Sequence, residues 1–161
     1  LWKLPVLYVI ENNQYGMGTS VARSSAGKLY SRGAGFGIPG EQVDGMDVFA
    51  VQAAARQAID YVRSGNGPYI LEVMTYRFRG HSMSDPAKYR TKEEVDQFKG
   101  ERDPIANLRV KMLEEEGVPE DALKAIEKEI KDIVTEAADF ATQSPELDAS
   151  ELWTDVLKEV R

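Results

Sequence analysis

The 161 residues are 42% hydrophobic and 29% charged with a net charge of -7, the make-up of one soluble globular domain rather than a disordered chain. Zero cysteines and a single histidine, His81, exclude disulfides, thiolate metal sites, a cysteine nucleophile and any multi-histidine zinc centre. No apolar run approaches the roughly eighteen residues of a membrane span and the first residues lack signal-peptide order, so an intracellular protein is expected.

The chain opens without methionine on "LWKLP", which reads as the last turn of a helix cut off before a proline-marked loop, as in a fragment. "PVLYVIE" follows, a continuous apolar run from Val6 to Ile10 expected to be a strand covered on both faces of a parallel sheet. Residues 12–46 hold many of the glycines, keep no sustained period and read as a long ligand-facing excursion, with a short strand in "EQVDGMD". Asp47 is placed to cap a helix running to about Val62, with Val48, Val51, Ala55, Ile59 and Val62 on one stripe, and "RSGNGP" stops it. "YILEVMTYRF" is a second strong strand. Strand, crossover helix and strand make a unit whose sheet is expected to be parallel, and ligands of such sheets bind beyond the carboxyl ends of the strands.

From Thr91 the character changes. Thr91 with Glu94 three residues on is a capping box, Pro104 after Asp103 opens a second helix, and Pro119 opens a third. The third carries Leu123, Ile126, Ile130, Ile133, Ala137 and Phe140 on one apolar stripe, to be laid on the domain body or on another chain. Residues 1–90 hold ten Lys and Arg against seven Asp and Glu, whereas residues 91–161 hold ten against twenty. The basic part suits anionic ligands; the acidic part argues against nucleic acid, and equally fits solvated helix faces. The expected organisation is an α/β domain over 1–90 and an acidic helical extension over 91–161 packing on it.

Two polar clusters lie at strand carboxyl ends. In "ENNQYGMG", the Asn12 and Asn13 amides, with backbone carbonyls that glycines let close to a ligand, are hard oxygen donors of the kind magnesium accepts. The same pattern also fits an ordinary turn. A dinucleotide fingerprint fails here, because "GMGTSV" has Val21 where the third glycine belongs. "YRFRGHSMSDPAKYRT" gathers Arg77, Arg79, His81, Ser82, Ser84, Asp85, Lys88, Tyr89 and Arg90. Guanidinium forks match phosphate oxygens and a histidine moves protons near neutral pH, but a self-paired surface loop has the same composition.

"LWKLPVLYVIENNQYGMGTSVAR", "IPGEQVDGMDVFAV" and "YRFRGHSMSDPAKYRT" together resemble the alpha subunits of pyruvate dehydrogenase, in the thiamine-diphosphate-dependent 2-oxo acid dehydrogenase family. The resemblance runs through essentially the whole chain and is strongest over residues 1–105. It implies part of a doubly wound parallel-sheet fold that binds thiamine diphosphate, with additional C-terminal helices. It implies that Asn13 gives a side-chain oxygen and Tyr15 a backbone carbonyl to Mg2+, and that His81 is the active-site histidine beside the cofactor. Arg77, Asp85, Tyr89 and Arg90 match residues that order a loop for the lipoyl domain of the acyltransferase component. Ser82 and Ser20 match phosphorylation positions of eukaryotic relatives; a third is Lys88 here, which points to a bacterial enzyme in the cytoplasm, with the mitochondrial matrix as the alternative.

The implied reaction is decarboxylation of pyruvate with acetyl transfer to lipoamide, in an assembly of two alpha and two beta chains. Branched-chain 2-oxo acids are the alternative substrates. The family's Gly-Asp-Gly segment would lie before Leu1, so this chain is expected to hold only part of the cofactor site. By itself it is expected to be inactive; the alternative reading is a truncated chain that acts only as a subunit-interaction module.

Overall fold

The computed structural model describes residues 1–154; the remainder of the expected acidic extension, 155–161, lies outside the described residues. The chain divides into two compact units, Leu1–Glu115 and Glu116–Arg161.

In the first unit three parallel strands form a sheet in the order β1 (Leu7–Asn12), β5 (Tyr69–Met74), β4 (Gly40–Asp44). A two-residue pair, β2 (Tyr15–Gly16) and β3 (Thr19–Ser20), makes a small antiparallel hairpin after β1. It leads into a single turn of helix, α1 (Val21–Ser24), and a 3-10 segment over Leu29–Phe36. The α/β class expected from the strand, helix, strand order is the class observed: α2 (Val48–Arg63) crosses from β4 to its parallel neighbour β5.

β5 is the central strand, and Leu71, Glu72 and Val73 on it are all buried. Side chains alternate across a strand, so Leu71 and Val73 point to one face and Glu72 to the other. The first face meets α2 in a cluster of Ala54, Leu71 and Val73, joined by Leu7, Val43, Val51 and Ala55. On the opposite face Glu72 accepts the Tyr30 N–H at 3.1 Å, which fixes the start of the 3-10 segment. Gly33 of that segment lies so close that a Cβ there would stand 2.6 Å from Ile70 Cδ1. Such a Cβ would also stand 2.8 Å from the Ile38 carbonyl oxygen, a backbone atom that cannot swing aside, so glycine suits this position.

Three expectations from sequence change here. Among the described residues β1 pairs with β5 alone, and Tyr8 and Val9, on opposite faces, are 52% and 56% exposed, so neither face is fully covered as expected. The opening "LWKLP" has no helical turn; Leu1–Val6 runs without regular structure. On α2 the fully buried line is Ala54, Ala58 and Val62, while Val48 is exposed. Alanines let the helix axis approach the sheet, and the larger apolar residues flank that line.

The helix starts follow their local chemistry. Asp47 caps α2 by accepting the Phe49 and Ala50 N–H groups at 2.9 and 3.1 Å. Asp103 caps α4 (Pro104–Glu114) in the same way, accepting Ile105 and Ala106 N–H, with Pro104 at a position that needs no N–H. Thr91 Oγ1 accepts the Glu94 N–H at 3.1 Å to start α3 (Lys92–Glu101).

The second unit consists of α5 (Glu120–Gln143) and a 3-10 turn over Ala149–Trp153. Glu120 and Asp121 in the first turn of α5 complement the helix dipole. Of its apolar stripe, Leu123 is buried, whereas Ile126, Ile130, Ile133 and Phe140 are exposed. No helix among the described residues is long and apolar enough to cross a membrane.

Candidate functional site

Because β1 and β5 run parallel with Asn12 opposite Met74, the segments that follow them leave the sheet side by side. The Thr75 N–H donates to the Asn12 carbonyl at 2.9 Å, and Gln14 Nε2 to the Thr75 carbonyl at 3.2 Å. The two polar clusters, sixty residues apart in sequence, therefore share one edge.

Asn12 and Asn13 have different fates. Asn12 is the last residue of β1 and is buried; its Nδ2 donates to Glu72 Oε1 at 2.7 Å and its Oδ1 accepts the Gln14 N–H at 2.9 Å. At 6% exposure, with Glu72 holding its nitrogen, this amide is closed off inside the turn, so it is burial that removes Asn12 from the oxygens expected to face a metal. Asn13 is half-buried, and among the described residues its Oδ1 accepts the Tyr15 N–H at 3.1 Å with a second lone pair left on that oxygen. The Val21 N–H donates to the Gln14 carbonyl at 2.9 Å, and antiparallel alternation then makes Tyr15–Ser20 a pair that exchanges no ladder bonds. The Tyr15 carbonyl is thus turned out of the hairpin. An amide oxygen and a backbone carbonyl are suitable donors for Mg2+, so these residues fit part of a metal shell. Among the described residues no group of three or more His, Cys, Asp or Glu side chains could complete one.

The second cluster forms a loop folded against this hairpin. Arg77 donates to the Met17 carbonyl at 2.6 Å and to the Tyr89 hydroxyl at 2.7 Å, and that hydroxyl donates to Asp85 Oδ2 at 2.8 Å. Asp85 also accepts the His81 N–H at 2.7 Å and the Ala87 N–H at 2.8 Å. The two backbone donors, then Tyr89, hold its carboxyl down at about 2. Arg90 spans the loop from below, donating to the Arg77 carbonyl and, at 2.7 Å, to the Arg79 carbonyl. Its guanidinium lies 5.3 to 5.8 Å from the ring centres of Tyr76, Tyr15 and Tyr89. A Cβ on Gly18 would stand 2.9 Å from the Tyr89 ring, so the glycine lets the loop seat on the hairpin.

The structure thus brings Arg77, Asp85, Tyr89, Arg90 and Tyr15 into one network. His81 stands exposed with its backbone pinned by Asp85, and Ser82 and Ser84, also exposed, have their hydroxyl oxygens 3.2 Å apart. Ser20 lies apart from them as the cap of α1, its Oγ accepting the Arg23 N–H.

Three residues of this edge escaped the sequence reading. Glu72 was visible as an acid inside an apolar run, and a buried charge demands partners. Tyr76 belongs to "YILEVMTYRF", whose pattern predicts a longer strand, but β5 ends at Met74. The spacing of Glu94 from Thr91 predicts a capping box, and the Glu94 N–H does donate to Thr91 Oγ1, but its carboxylate accepts the Tyr15 and Tyr76 hydroxyls, each at 2.8 Å.

A description of this architecture exists among known families: "Dehydrogenase E1 component" matches residues 1–150. The chain belongs to that family. It is 60% identical to the "Pyruvate dehydrogenase E1 component subunit alpha" of Rhizobium meliloti, over 98% of this chain and 45% of the relative. The protein of the same name from Rickettsia conorii is 57% identical, over 97% of this chain and 48% of the relative. A mitochondrial one from Dictyostelium discoideum is 51% identical, over 99% and 43%. The chain spans less than half the length of these curated relatives. In this member of the Dehydrogenase E1 component family, Gly16 ends one strand of a hairpin and Gly18 lies in its turn, where a dinucleotide fingerprint would instead open a helix.

Proposed function

We propose that this chain is part of the alpha side of a pyruvate dehydrogenase that uses thiamine diphosphate and Mg2+. The observation that carries the reading is the meeting of the Asn13 and Tyr15 oxygens with the Arg77, His81 and Arg90 loop at one sheet edge. When bound, thiamine diphosphate supplies the carbanion that adds to the 2-oxo group and accepts the electron pair released with carbon dioxide. The chain's own contribution is position and charge. Asn13 Oδ1 and the Tyr15 carbonyl hold the metal that neutralises a diphosphate. His81, tethered through its N–H to Asp85, moves a proton or orients the cofactor during acetyl transfer to lipoamide.

The same reading gives the chain its partners: a beta subunit across the cofactor in an assembly of two alpha and two beta chains, pyruvate, and the lipoyl domain of an acyltransferase. The loop held by Arg77, Asp85, Tyr89 and Arg90 meets that lipoyl domain. A bacterial cytoplasm is the proposed location, with the mitochondrial matrix as the alternative.

The test is made on the full-length alpha chain assembled with its beta partner. His81→Ala is expected to lower overall turnover by more than about tenfold, the usual scale for a lost acid or base. An unchanged rate of lipoamide acetylation overturns the role given to His81.

A further inference from the structure

Glu94 stands in the first turn of α3, where the Thr91 hydroxyl has already satisfied its N–H. In a complete capping box its carboxylate would reach back to the Thr91 N–H. Instead one oxygen, Oε1, accepts two phenols, those of Tyr15 and Tyr76, both at 2.8 Å. Bonds to an ionised acceptor are roughly twice as strong as neutral ones, and this pair is half-buried rather than on open surface.

The helix grips Tyr76 twice. Glu94 and Phe98 are four residues apart and so share a helix face. Phe98 stacks on the Tyr76 ring with centroids 3.9 Å apart and planes 4° from parallel, while Glu94 takes its hydroxyl. Tyr76 in turn meets Tyr15 edge to face, at 6.4 Å and 86°. Tyr15 is therefore referred to α3 through its own hydroxyl and through its neighbour's ring.

A second, independent observation concerns the backbone. Gln14 and Met17, on either side of Tyr15, are non-glycine residues at positive φ, 70° and 52°. Such conformations are strained and persist only where surrounding contacts over-determine them. Arg90 and Tyr89 pack on the Tyr15 ring at 5.7 and 5.5 Å, and Glu94 adds a hydrogen bond by accepting its hydroxyl.

We propose that Glu94 is a positioning residue, holding the strained turn over residues 14–17 so that the Tyr15 carbonyl keeps its orientation toward the metal. This rests on the reading of that carbonyl as a metal oxygen. Glu94 touches neither metal nor substrate; it acts through Tyr15 and Tyr76.

The experiment uses the full-length alpha chain assembled with its beta partner. Mg2+ is titrated by calorimetry at saturating thiamine diphosphate, and thermal melting is recorded beside it. Glu94→Ala is expected to weaken Mg2+ about tenfold, the scale on which residues supporting metal ligands act. Glu94→Gln keeps an oxygen that accepts both phenols and is expected to stay within about threefold of wild type. Tyr15→Phe removes the phenol but keeps the carbonyl, and is expected to reproduce the Glu94→Ala loss. The double variant should then add little to either single change.

Unchanged Mg2+ affinity in Glu94→Ala, with or without a lower melting temperature, overturns the proposal. Equal losses in Glu94→Ala and Glu94→Gln also overturn it, because they assign the effect to charge at the helix start. If the wild-type assembly itself shows no Mg2+ dependence, the metal reading of Tyr15 falls and the proposal falls with it. Loss confined to the variants separates the two failures.

Discussion

Asp85 collects three donors, the N–H groups of His81 and Ala87 and the Tyr89 hydroxyl, and its carboxyl is lowered from 3.8 to about 2. A depressed folded value means that the ionised group contributes to loop order above 3.8, and that this contribution is lost as pH falls toward about 2. The His81 amide resonance, followed by NMR on acidification, is expected to titrate with that lower midpoint; a midpoint near 3.8 would refute the arrangement. Glu72 is the counterpart in the interior, 1% exposed and shared between Asn12 and the Tyr30 N–H. Glu72→Ala orphans two buried donors and is expected to cost about 2–5 kcal/mol in chemical unfolding of the full-length protein. A cost below about 1 kcal/mol would show that water replaces the carboxylate at both donors. The acid was legible in "YILEVM" as an anomaly. Its partners were not, because they come from strand β1 and from a 3-10 turn forty-two residues upstream.

Among the elements, helices were the most legible, since their caps are local. Asp47, Thr91 and Asp103 each accept N–H groups two or three residues ahead, and no distant contact is needed to start α2, α3 or α4. Exposure was less legible. An apolar run announces that a strand is to be covered, but among the described residues β1 pairs with β5 alone, and Tyr8 and Val9 leave neither of its faces fully covered. The stripe on α5 poses the same question, with Ile130 54% exposed. In the isolated chain Ile130→Lys is expected to change stability by less than about 0.5 kcal/mol, as at other exposed positions. A loss above about 1 kcal/mol on urea unfolding would show that something covers this face in solution.

At the scale of the whole molecule, membership of the Dehydrogenase E1 component family meets a chain less than half as long as the relatives it matches. Under the proposed reading the described residues would give a metal two oxygens, and among them no group of three or more His, Cys, Asp or Glu could hold one. The isolated chain is accordingly expected not to bind thiamine diphosphate tightly. Calorimetry with cofactor and Mg2+ checks this, and micromolar binding would overturn it. The amino-acid order by itself determined the α/β class, the parallel pairing and the helix starts, because strand patterning, crossover connections and caps depend on neighbours in sequence. It also carried the family, through "ENNQYGMG" and "RGHSMSDP". Only the tertiary structure decided that Asn12 is spent on Glu72 while Asn13 is left open. It also decided that the Glu94 carboxylate goes to two tyrosines. In both cases equivalent local chemistry was available to the side chain, and a partner sixty to eighty residues away, brought near by parallel strands, supplied the stronger bond.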